Sequence, residues 1–89
     1  MVSLDGLRYA KYARSMPSPL NDAVAAEVRA EVARQALTQQ QLADRLGEGQ
    51  WWVSRRLTGD VAWEIADLMR VAEALGVQVT QFIPAAVAS

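Results

Sequence analysis

QQQLADRLGEGQWWVSRRLTG, residues 39–59, reads as two short helices and the turn between them. Thr38 and Gln41 form a capping box: the Thr38 hydroxyl accepts from the Gln41 amide, and the Gln41 side chain reaches back to the Thr38 N–H. The helix that follows puts Leu42, Ala43 and Leu46 on one face and stops at Gly47, which supplies the left-handed conformation of a tight helix end. After Glu48 and Gly49 a second helix runs from about Gln50 to Leu57 and closes at Thr58-Gly59-Asp60. Ala43 is small enough for the two helices to cross closely, and Val53 plugs the second helix into the core. With Val53 at 0° and about 100° per residue, Leu57 and Gln50 fall at about 40° and 60°, whereas Trp51 and Arg55 fall at about 160° and 200°. Trp51 and Arg55 therefore face away from the core. Trp52 and Arg56 lie on one flank, and Ser54 and Thr58 on the other. A large indole turned to solvent on a short helix is unusual on an idle surface and reads as contact surface.

Outward from this pair the chain remains helical. Pro17-Ser18-Pro19 marks a boundary, with Ser18 as cap and Pro19 at the first helical position. A helix is expected over 19–36, with Leu20, Val24, Val28 and Val32 at every fourth position and Asp22, Glu27, Arg29, Glu31 and Arg34 mostly on other faces. Another is expected over 64–75, with Ile65, Leu68, Met69, Ala72 and Leu75 at spacings of three and four and Gly76 as its stop. Thr80 is expected to cap a last short helix carrying Phe82 and Ile83, before Pro84 and a frayed tail. The spacing thus predicts an all-α fold, a small bundle of four to five helices. Its expected core is Val24, Val28, Leu42, Ala43, Leu46, Val53, Leu57, Ile65, Leu68, Ala72 and Leu75, with Trp63 read as core or a staple. The expected division is an N-terminal extension or arm over 1–18, one domain over 19–84 and a tail over 85–89.

Composition narrows the function. The 89 residues make one small domain, and at this size only about 60 to 65% of the unfolded surface is buried. There is no cysteine and no histidine, so disulfides, thiolate or imidazole metal sites and histidine-based triads are excluded. No enzyme activity, cofactor, metal or small-molecule ligand is expected. The net charge of −1 gives no bulk attraction to nucleic acid. Locally, residues 1–19 carry Arg8, Lys11 and Arg14 against Asp5, and residues 20–89 carry six arginines against nine acids. The first group is read as either a solvated flank or an arm on DNA phosphates. No apolar run is long enough for a membrane span or a signal peptide, so a cytoplasmic protein is expected.

Gln39, Ala43, Gly47, Gln50, Val53 and Gly59, at these spacings, resemble the helix-turn-helix of the lambda-repressor and Cro (XRE-type) family of phage and bacterial regulators. The segments RRLTG at 55–59 and VAEALGV at 71–77 are similar to its actinobacterial branch. The resemblance covers about residues 20–83. It implies that the second helix enters the DNA major groove, with Gln50, Trp51 and Arg55 on base edges and Gln39 near a phosphate. Gln suits adenine and Arg suits guanine, each by a bidentate pair. Trp51 departs from the polar residue common at its position, and either touches a thymine methyl or stacks on sugar. Arg56 stands where many relatives are apolar, which makes it a phosphate candidate with Leu57 left to pack. Trp52, Ser54 and Thr58 complete the expected contact set, with Trp52 open between contact and core.

The function implied is a sequence-specific DNA-binding transcriptional regulator, a phage immunity repressor or Cro-like protein that occupies an operator and excludes polymerase. The competing reading is an antitoxin or other protein-interaction module on the same fold, whose expected sign is an extra segment such as Met1–Met16. A homodimer on operator DNA is expected through Val77, Val79, Phe82 and Ile83, because so small a domain has little room to bury them all and the family's final helix pairs across a two-fold axis.

Overall fold

The computed structural model describes residues 18–84. In chain order it contains α1 (Pro19–Arg34), α2 (Gln39–Leu46), α3 (Gln50–Thr58), α4 (Ile65–Leu75) and a 3-10 turn, Val79–Phe82. All regular structure among the described residues is helical, and none of the helices there is long and apolar enough to cross a membrane. The Arg8, Lys11 and Arg14 arm and the tail over 85–89 lie outside the described residues.

α1 starts where the cap residues place it: the Ser18 hydroxyl accepts from the Asn21 N–H at 3.0 Å, and Pro19 follows. It ends at Arg34, two residues before the expected boundary. Ala36 there takes φ 56°, a left-handed position normally given to glycine. The every-fourth apolar row does not all point inward, because a spacing of four drifts by about 40° per step. The buried face is Val24, Ala25, Val28, Glu31 and Val32, and Leu20 is left exposed in the first turn.

The same correction holds on α4. Its inward residues are Leu68, Val71, Ala72 and Leu75, whereas Ile65 is 76% exposed and Met69 is also exposed. Trp63, just before the helix, is buried and takes the inward place assigned to Ile65. Leu20, Val24, Trp63, Ile65, Leu68 and Ile83 line an apolar groove between the first turns of α1 and α4.

Glu31, expected on an outer face, is buried. Its carboxylate accepts from Gln35 Nε2 at 2.8 Å, from Gln81 Nε2 at 2.5 Å and from Arg34. Gln35 also donates to the Leu75 carbonyl at 2.7 Å. One carboxylate thus ties the end of α1 to the end of α4 and to the 3-10 turn. The Gln35 hydrogen bond holds the Glu31 pKa below the usual glutamate range; burial opposes this, and Gln81 and Arg34 reinforce it.

The C-terminal expectation needs the largest correction. The last element is a 3-10 turn whose cap is Gln78, and Thr80 lies inside it. Phe82 has no exposed surface, so it is part of the domain's own core and unavailable for a subunit contact. Val77, Val79 and Ile83 are partly buried against that core. Phe82 thus joins the core, whereas Ile65, which the spacing placed there, is outside.

Candidate nucleic-acid interface

The turn between α2 and α3 forms as its residues dictate. Thr38 Oγ1 accepts from the Gln41 N–H at 3.0 Å, and Gln41 Oε1 accepts from the Thr38 N–H at 2.8 Å. Gly47 takes φ 71°, and the Glu48 N–H closes on the Ala43 carbonyl at 3.0 Å, which satisfies carbonyls the helix end would leave open. A side chain at Gly47 would meet no neighbour, so its backbone conformation alone favours glycine. Ala43, Val53 and Leu57 are buried at the crossing. At the far end of α3, Arg29 of α1 donates to the Leu57 carbonyl. Arg70 of α4 donates to the Leu46 carbonyl at 2.6 Å and pairs with Glu48 and Asp67, each at 3.2 Å. α3 is therefore anchored at its C-terminal end by Arg29, and the turn that launches it is anchored by Arg70.

This anchoring fixes which side chains α3 offers to a partner. Trp51 is 72% exposed, and the Arg55 guanidinium lies over its ring, 4.8 Å from the centroid. Gln39, Gln50, Trp51 and Ser54 line one shallow concavity, so the structure brings five of the eight expected contact residues to one surface. Thr58 is exposed, but its hydroxyl donates to the Arg55 carbonyl at 3.0 Å and helps to end the helix.

Trp52 and Arg56 are placed differently. Trp52 is half-buried, with Trp63 edge-on to it at 5.9 Å and 81° between planes. The Arg56 guanidinium lies over the Trp52 ring at 3.9 Å and donates to the Trp52 carbonyl at 3.1 Å. Arg56 Nε is buried without a hydrogen-bond partner among the described residues. The Arg70 guanidinium approaches the same ring at 5.9 Å. The sequence reading missed Arg70, Arg29 and Glu31 as organising residues, because their partners lie 22 to 50 positions away and no local spacing signals them. Among the described residues no group of three or more acidic side chains gathers as a metal site.

A family model described as helix-turn-helix matches residues 28–82. A comparison with curated protein sequences found no match. Among solved structures, the clp gene regulator ClgR from C. glutamicum is similar, with 25% identity, 73% of this chain and 84% of that chain covered, and a TM-score of 0.69. The DNA-binding domain of BldD is similar at 24% identity, with 78% and 100% covered and a TM-score of 0.69. The restriction-modification controller protein C.AhdI from Aeromonas hydrophila shares the fold at 17% identity, with 71% and 96% covered and a TM-score of 0.67. The match over residues 28–82 takes in α2, α3 and the turn that joins them, and so the chain belongs to the helix-turn-helix family of lambda-repressor and Cro type, a family of DNA-binding transcriptional regulators.

Proposed function

We propose that this chain is a sequence-specific regulator of the phage-repressor or Cro kind, which lays α3 in the major groove of an operator and excludes polymerase from it. The observation that carries the reading is the exposed Trp51 on the solvent face of α3, with the half-buried Arg55 stacked over its ring. In this reading residues 19–84 are the DNA-binding unit. Gln50, Trp51 and Arg55 read base edges, Gln39 and Ser54 flank them, and Arg56 contacts the phosphate backbone beside Thr58. The regulator and controller roles in the names of ClgR and C.AhdI, and the DNA-binding role in that of BldD, support the reading by analogy.

Two copies then bind a palindrome, with half-sites about 34 Å apart. Phe82 is sealed inside each copy, so pairing falls to the apolar groove that Leu20, Ile65 and Ile83 line, and to the partly buried Val77 and Val79. Selection of bound sites from a random duplex pool tests the whole reading. A two-fold motif is expected. Enrichment of no motif contradicts DNA reading and favours the protein-interaction alternative.

A further inference from the structure

We infer that Trp51 and Arg55 together read a 5-methylpyrimidine next to a guanine, so that one C5 methyl group on the DNA sets the affinity of the site. This rests on the DNA-binding reading above and names what its exposed pair recognises. The two residues sit one helical turn apart on α3, with side chains stacked 4.8 Å between guanidinium carbon and ring centroid. Neighbouring base pairs rise about 3.4 Å, so two stacked tips reach the same pair or adjacent pairs and not distant ones.

Each tip has one good target. The Arg55 fork matches the O6 and N7 acceptors of guanine, and its contact with the indole holds it in place before DNA arrives. The indole is apolar and 72% exposed. Among the four standard bases, the apolar group on the major-groove edge is the C5 methyl of thymine. A cytosine methylated at C5 presents the same group in the same place. The concavity around the ring agrees: Gln39, Gln50 and Ser54 are polar, and Trp51 is its one apolar wall. A methyl group entering there packs against the indole, while the amides and the hydroxyl face the polar edges of the bases. Trp52 cannot do this, because its ring is packed against Trp63 and covered by Arg56.

The test uses the duplex selected by the full chain. Each thymine is replaced in turn by deoxyuridine, which removes the methyl alone, and binding is titrated by fluorescence anisotropy at fixed salt. One thymine, beside the guanine whose replacement Arg55→Ala no longer senses, is expected to show about a fourfold loss, the effect of one buried methyl group. Cytosine at that position should bind weakly, and 5-methylcytosine should recover most of the fourfold. Trp51→Ala is expected to stay folded, to bind more weakly, and to treat thymine and uracil alike. If every uracil duplex binds as the parent does while Trp51→Ala still weakens binding, the indole stacks on sugar and the inference is overturned while the regulator reading stands. If no duplex is selected at all, both fall.

Discussion

Trp51 and Trp52 are consecutive, and each is followed four residues later by an arginine that lies over its ring, yet the two pairs have opposite surroundings. Trp51 stands in solvent on the outer face of α3, with the half-buried Arg55 over its ring. Trp52 and Arg56 form a wedge between α3 and the segment that leads into α4, closed by Trp63 at one edge and approached by Arg70. A rotation of about 100° between adjacent helical positions separates them. The same side-chain chemistry thereby packs one indole against the fold and leaves the other facing solvent. A cation over an indole is therefore no sign of function by itself; what it faces decides.

The largest expected effect is on the inner pair. Trp52→Ala should destabilise the fold by about 2 to 3 kcal/mol, since it leaves a void beside Trp63 and removes the surface under Arg56; urea unfolding measures it. A loss below half a kcal/mol would put Trp52 outside the core and erase the contrast. Next is the outer pair. Arg55→Ala should reduce discrimination at one base pair by about 1 to 3 kcal/mol, measured against a panel of singly altered operators, while the unfolding midpoint is unchanged. Arg56→Ala should instead weaken cognate and scrambled duplexes alike and lower the salt slope by about one unit. If its salt slope equals the parent's, Arg56 is only a brace and the inner pair has no share in binding.

Acid gives a further separation, because neither pair contains a carboxylate. The Glu31 pKa is lowered on folding, so its stabilising contribution is complete above the ordinary glutamate value of about 4.5 and is lost as pH falls through the lowered value. Melting temperatures of Glu31→Gln should therefore fall less steeply with acid than those of the parent, whereas those of Trp51→Ala should track the parent. The smallest effect expected is Trp51→Ala on stability, within about 0.5 kcal/mol, as for an exposed side chain.

What was legible in the sequence follows the range of the contacts. Thr38, Gln41, Gly47 and Gly59 act on backbone within a few residues, so the α2–α3 unit was readable to within one residue, α3 ending at Thr58 where Leu57 was expected, and the helical rotation of α3 placed Trp51 outward. The C-terminal closure was not readable. Phe82 is buried by α1 and α4 together, and Gln81 meets Glu31 across 50 positions. Spacing likewise assigned Ile65 to the core, because a periodic row does not show where the neighbouring element stops. Within the candidate site, the chemistry of Trp52 and Arg56 was visible, but which way they turn depended on Trp63 and Arg70, which lie on the far side of Gly59.

Whether the outer pair of α3 reads DNA is decided by competition between a selected and a scrambled duplex for the Trp51→Ala, Arg55→Ala double variant. The double variant is expected to melt like the parent, to bind the selected duplex much more weakly, and to lose most of the parent's preference for it over the scrambled one. A variant that melts like the parent and keeps the parent's preference for the selected duplex would contradict DNA reading by this pair.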